Sequence, residues 1–258
     1  MSRLYMIPDY FNLQASVELA KEHGLCFEYN DFFFPGVLDN PDAVQERIDA
    51  YMALGRDCSE DTMHGAFFDV TVFSCDPKIR EVSRLRMRQS MEIAKKMGLR
   101  AVIFHGNYLP FLRGKGYDDL WVSYTEDIVR KLAEEYPGIG IYMENMFDDT
   151  PDMLVKLAEN LSAVPEFGLC LDYAHALLNS EKAELWVQRM APYLRHMHVN
   201  DHRFESDVHL VPGDGLTDWD EFARLKENYV PEASVLCEVK GLDDVRRSLK
   251  FLENVLEK

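Results

Sequence analysis

No run of about 18 apolar residues occurs in this sequence, so no membrane-spanning helix is expected. The opening residues, MSRLYMIPDYFNLQ, lack a long apolar core and a small-residue cleavage site, which argues against a signal peptide. Cysteine is scarce: the five, at 26, 58, 75, 170 and 237, are odd in number and form no C-x-x-C pair. Cys26, Cys170 and Cys237 lie inside apolar runs and read as small core residues, which excludes a disulfide framework and implies a reducing cytoplasm. Basic residues are also few, 28 against 45 acidic ones, for a net charge of -17. Binding a phosphate backbone needs clustered Lys and Arg, so nucleic acid is not an expected partner; a cation or a neutral small molecule is. The first strand–helix turn lacks a Gly-rich phosphate fingerprint, which weighs against a doubly wound dinucleotide fold.

What remains is a chain of 258 residues, 47% hydrophobic, in which strand-like and helix-like segments alternate from end to end. Strands are expected at 3–8, 25–33, 61–69, 100–107, 138–146, 167–175, 194–201 and 234–241. Helices are expected at 12–24, 41–54, 77–97, 118–136, 151–162, 180–191, about 217–228 and 242–257. Gly24 and Gly98 read as helix stops, and Thr150 and Thr217 as N-caps. Connections are short, and no linker or charge block divides the sequence. Eight such units in one domain, 1–258, predict an α/β fold, a single (β/α)8 TIM barrel.

Barrels of this kind carry their active sites at the C-terminal ends of the strands. Polar residues close the predicted strands there: Glu28, His64, His105, Glu144, Asp172, His198 and Glu238. The densest stretch runs from 167 to 215. In it Asp172 with His175, and His198 with Asp201, follow apolar runs, and Asp207 and His209 come soon after. His64, His105, His175, His198 and His209 all fall at strand ends or in the loops just beyond, whereas His23 reads as a solvent-facing helix residue. Carboxylates and imidazoles crowded into a barrel mouth are costly without a counter-ion, so a divalent cation is expected among them.

The segments FHGNYLP, YMENMFDDTP, GLCLDYAH, HMHVND, HLVPGDGLTDWDEF and CEVKG resemble, in order and spacing, the xylose isomerase-like and endonuclease IV-like TIM barrel superfamily, in particular its sugar isomerases and epimerases. The resemblance covers about residues 60–241. It implies one divalent metal, Mn, Mg, Co or Zn, held by Glu144, Asp172, His198 and Glu238. It further implies that Glu144 and Glu238 act as acid and base around a metal-stabilised enediolate. The substrate would be a small carbohydrate, and an inosose-dehydratase-type lyase is a close variant. The endonuclease IV side of the resemblance implies instead up to three zinc ions and phosphodiester hydrolysis. There His64, His105, His175, Asp207 and His209 would join the set; in the isomerase reading they surround it.

Substrate-contact candidates are Lys240, two residues beyond Glu238, and His202 and Arg203 after the seventh strand. Each would bind a substrate oxygen or pair within the protein. Phe67, Phe68, Tyr108, Trp219 and the Phe32–Phe34 run would line a sugar face or simply pack. The loop LPFLRGKGYDD supplies only Arg113 and Lys115 for an anion. No surface stripe stands out as a subunit interface.

Overall fold

A computed structural model describes residues 3–67, 69–114, 116–179 and 182–256. Phe68 and Lys115, both singled out above, lie outside the described residues, as do the first two residues of the helix expected at 180–191 and the last of that at 242–257. Eight parallel strands close on themselves in sequence order, β1 pairing with β8. They are β1 (Leu4–Met6), β2 (Cys26–Tyr29), β3 (Thr62–His64), β4 (Ala101–His105), β5 (Gly140–Glu144), β6 (Phe167–Asp172), β7 (Leu194–Val199) and β8 (Ser234–Cys237). Helices α1 (Leu13–His23), α2 (Pro35–Leu38), α3 (Pro41–Met52), α4 (Pro77–Met97), α5 (Tyr117–Glu135), α6 (Asp152–Asn160), α7 (Tyr173–Asn179), α8 (Ala183–Met190), α9 (Trp219–Tyr229) and α10 (Leu242–Leu256) connect them. This is the expected (β/α)8 barrel. Among the described residues no helix is long and apolar enough to cross a membrane.

Local chemistry sets the boundaries. Asn40 and Asp76 accept from the free N–H groups of α3 and α4, and a proline occupies the first helical position in both. Gly24 and Gly98 end α1 and α4 with φ of 65° and 69°, a conformation in which a side chain is strained. Two expected caps are corrected. Asp218, not Thr217, caps α9, because its carboxylate reaches the Glu221 N–H. Thr150 caps nothing, since Pro151 stands at the α6 N-cap and Thr150 Oγ1 turns to Asp152.

The strands are also shorter than their apolar runs. Most notably, 173–175 are the first turn of α7 rather than the end of β6. Asn145 causes this turn: its amide accepts from Asp172 N–H (2.8 Å) and donates to Asp172 O (2.9 Å), taking both groups the next ladder step would need.

Strand side chains alternate between two environments. Val102, Phe104, Ile141, Met143, Leu169, Leu171, Met197 and Val235 point outward into one large core beneath the helices. The barrel interior takes the other set. A small apolar plug of Ala101, Ile103, Tyr142 and Cys170 fills one side of it. The rest is polar: Glu28, Thr62, His196 and Ser234 are buried, with His198, Glu144 and Asp172 alongside. The barrel therefore carries its chemistry on its inner wall, at the ends of β3 to β8.

Candidate metal centre

The register brings the candidates together. His105 stands opposite Glu144 on β5, and Asp172 opposite His198 on β7. Glu238 follows β8, held by its N–H to Val199 O. Glu144, Asp172, His198 and Glu238 each offer one ligand atom, and these lie within 4.8 Å of one another. His198 Nδ1 is 3.3 Å from both Glu144 Oε1 and Glu238 Oε2. Glu144 Oε2, Asp172 Oδ2, His198 Nδ1 and Glu238 Oε2 are all buried without a hydrogen-bond partner. Unsatisfied buried polar atoms are rare in native proteins. Four residues whose ligand atoms lie this close together, each with a buried unpartnered atom, could hold a divalent cation.

Two further groups flank this quartet. His64 Nε2 and His105 Nε2 lie 3.2 Å apart, at 3.5 and 3.4 Å from Glu144 Oε2. On the other side Asp207 Oδ2 sits between His175 Nε2 (3.2 Å) and His209 Nε2 (3.1 Å). His64, His175 and His209 are oriented alike. Each turns Nδ1 to a backbone carbonyl, of Gly65, Asn145 and Glu238 respectively, at 2.9 to 3.0 Å. A carbonyl can only accept, so Nδ1 carries a proton in all three, and beside the Asp207 carboxylate Nε2 of His175 and His209 carries one as well in the metal-free protein.

Charge is mutually adjusted across the centre. Burial opposes ionisation of Glu144, but His198 and His105 outweigh it and hold the carboxyl well below its usual range. Glu238 is lowered in the same way, chiefly by His198 against its burial. Burial pushes Asp172 up, and Glu238 and Glu144 add to that against the pull of His175. His198 and His175 are raised well above the ordinary imidazole range, because neighbouring carboxylates overcome their desolvation. Burial lowers His105, while Glu144 raises His64 against its burial, so the facing pair favours a single proton. Asp207 is lowered despite burial by His175 and His209, and His209 is raised to about 9 by Asp207 and Glu238 against its own burial.

A pH dependence follows for the metal-free protein. His209 titrates near 9 when folded and near 6.5 when unfolded, so its contribution is complete below about 6.5 and disappears as pH rises to 9. His175 and His198 act in the same direction. The thermal midpoint of the chelated protein should fall between pH 6.5 and 9. A cation that replaces those protons should flatten the curve, since metal binding releases protons. Differential scanning fluorimetry with and without chelator measures this; parallel pH curves would count against a metal in the centre.

One expected ligand is not part of the site. Asp201 turns away from the centre and is surrounded by donors. Its Oδ1 accepts from His202 and Thr217 N–H, and its Oδ2 from Gly213 and Gly215 N–H and Trp219 Nε1. Asp201 thus ties down the loop that carries Asp207 and His209. Of the substrate candidates, His202 is buried, its Nδ1 accepts from Phe204 N–H and its Nε2 is unpartnered. Arg203 and Lys240 are exposed in the loops after β7 and β8. Arg113 is paired with Asp149. Phe67 packs on His64, His105 and Phe33, whereas Phe32, Tyr108 and Trp219 are core residues. His23 is partly buried and bonds Glu253, so it is not a free surface residue. Sequence reasoning passed over His196 and placed Glu28 at a strand end without a role. The available signal was the H-x-H spacing of β7, which puts His196 on the same inner face as His198.

Residues 17–255 match the family model described as the xylose isomerase-like TIM barrel. The chain belongs to that family. Its relatives include the uncharacterized protein MJ1311 of Methanocaldococcus jannaschii, 24% identical over all of this chain and 88% of that one. Similar solved structures include a D-tagatose 3-epimerase-like protein, with a TM-score of 0.77 at 23% identity over 98% of this chain and 97% of the other. Another is the IOLI protein with a bound zinc atom, with a TM-score of 0.72 at 16% identity over 98% of each chain. These likenesses concern the fold.

Proposed function

We propose that the chain is a divalent-metal-dependent isomerase or epimerase of a sugar or sugar derivative. The observation that carries this reading is the convergence of four buried, unpartnered ligand atoms from Glu144, Asp172, His198 and Glu238. Three of the four are carboxylates, and the two glutamates reach in from separate strands, β5 and the end of β8. The sugar-epimerase names among similar structures and the zinc in one of them agree with it. A bound cation would polarise a substrate carbonyl and hold an adjacent hydroxyl. The remaining work falls to side chains. Glu144 and Glu238, both kept ionised, flank the position of the reacting carbon, so one removes the proton beside the carbonyl and the other returns one. Phe67, against His64 and His105, walls the mouth on one side. His202 presents a free Nε2 for a hydroxyl, and Lys240 and Arg203 close over the outer part of the substrate. The partner is a small carbohydrate, and the net charge of -17 opposes nucleic acid.

A second reading, a multinuclear zinc phosphodiesterase, draws on one specific observation: His64, His105 and Glu144 form a second ligand group, and Asp207 lies between His175 and His209 on the other side. Metal content per chain, followed by exchange of the substrate α-proton in deuterated water across ketoses and inosose-like compounds, separates the two. One essential ion with exchange supports the isomerase. Three ions with cleavage of abasic DNA and no exchange would replace it.

A further inference from the structure

His198 is held differently from the other imidazoles of the centre. His64, His175 and His209 use backbone carbonyls at Nδ1 and present Nε2. His198 presents Nδ1 to Glu144 and Glu238, and its Nε2 lies 3.1 Å from Glu28 Oε1 on β2, across the barrel. The other oxygen, Glu28 Oε2, accepts from Thr62 Oγ1 at 2.8 Å and faces His196 Nε2 at 3.2 Å. His196 Nδ1 is 2.7 Å from Ser234 Oγ. Ser234 Oγ is also 3.2 Å from Arg195 O. The line Ser234–His196–Glu28–His198 thus runs through the barrel interior on β8, β7 and β2. Glu28, His196 and His198 are wholly buried, and Ser234 nearly so.

A carboxylate sealed in a barrel is expensive, and hydrophobic residues would fill the space at no such cost. The plug of Ala101, Ile103, Tyr142 and Cys170 on the other side of the same interior shows that this barrel can do so. The polar line has a geometric consequence. A carboxylate 3.1 Å from Nε2 favours the tautomer that keeps its proton there, so a cation entering the centre would meet the Nδ1 lone pair, and the charge contact resists rotation of the ring. From these contacts we infer that Glu28 is a positioning residue that fixes the tautomer and ring plane of His198, and that His196 and Thr62 in turn fix Glu28.

This inference rests on the metal centre proposed above. It is tested by titrating the chelated full-length protein with Co²⁺, following the visible absorption bands and the dissociation constant for wild type, Glu28→Gln and His196→Gln. Glu28→Gln should bind Co²⁺ roughly 10- to 100-fold more weakly, the usual cost of removing such a partner, with altered band positions. His196→Gln, one bond further away, should show a smaller loss in the same direction. The thermal midpoint of metal-free Glu28→Gln should fall, because His198 loses a buried counter-charge, so Co²⁺ affinity and band positions carry the test. Equal Co²⁺ affinity and identical spectra for wild type and Glu28→Gln would overturn the inference while leaving the centre intact. Should Glu28→Gln fail to fold, unchanged affinity and bands in His196→Gln would overturn it instead. Absence of any Co²⁺ on the wild-type chain would overturn the centre, and this role with it.

Discussion

Replacing Glu144 by Gln should abolish turnover, lowering α-proton exchange by at least about 1,000-fold, in the range expected when a positioned proton-transfer group is lost together with Lewis-acid chemistry. The reason is topological. Glu144 belongs to the central quartet and also to the group with His64 and His105. Its Oε1 faces His198, and its Oε2 faces both other histidines. His198 also belongs to more than one group, but among the described residues Glu144 is the one that joins the quartet to the His64–His105 pair. Glutamine keeps the shape but loses the charge and turns an N–H₂ toward atoms that need an anion, so metal content should fall along with activity. His64→Asn is the informative companion. Under the isomerase reading it should cost roughly tenfold or less, since the quartet survives. A loss as large as that of Glu144→Gln would favour the multinuclear hydrolase. Full exchange and full metal content in Glu144→Gln would end both readings. Elemental analysis and single-turnover exchange on the same samples decide among them.

The second large effect should be on stability. Asp201→Ala should destabilise the protein by about 3–5 kcal/mol, because it leaves buried N–H groups of the loop without an acceptor, at about 1–3 kcal/mol for each that water cannot reach. Four backbone donors and the Trp219 indole converge on that one carboxylate. Asparagine should rescue little, since one of its two positions is itself a donor. Gly215→Ala should reproduce part of the effect, because a Cβ there would strike the Asp201 carboxylate and the His202 carbonyl. Urea unfolding of the metal-free variants gives the free energies. The loss should also be uneven: Asp207 and His209 ride on this loop, so their contacts with each other and with His175 should loosen before the quartet does. A variant within 1 kcal/mol of wild type would show that the loop is held by something else.

The alternation of apolar runs and helical spacing was enough to predict the barrel, since strands walled by helices and helices ended by Gly24 and Gly98 carry their own signals. The quartet was legible as well, because Glu144, Asp172, His198 and Glu238 each close an apolar run. Other features were hidden for identifiable reasons. The turn after Asp172 depends on the Asn145 amide, 27 residues earlier in the chain, and a β-run followed by Tyr-Ala-His shows no break. Asp201 and Asp172 look alike as letters after apolar stretches. What separates them is that backbone N–H groups surround Asp201, and backbone donors leave no mark in a sequence. Thr217 and Asp218 are both good caps, and only the path of the chain chooses between them. Glu28 and His196 were present on the inner faces of β2 and β7. Their partnership depends on which strands oppose one another across the barrel, and that appears only once it closes.

The seam between β1 and β8 also has a consequence for how the protein is made. The last strand supplies the last ligand: Glu238 directly follows Cys237, and Cys237 pairs with Met6 at the start of the chain. During synthesis a chain that has emerged only through β7 holds three members of the quartet and an open edge. Cation capture therefore awaits the final strand, and full-affinity metal uptake should report barrel closure. A stopped-flow refolding experiment with Co²⁺ should show the absorption bands arising in the slowest folding phase, not in the collapse that precedes it.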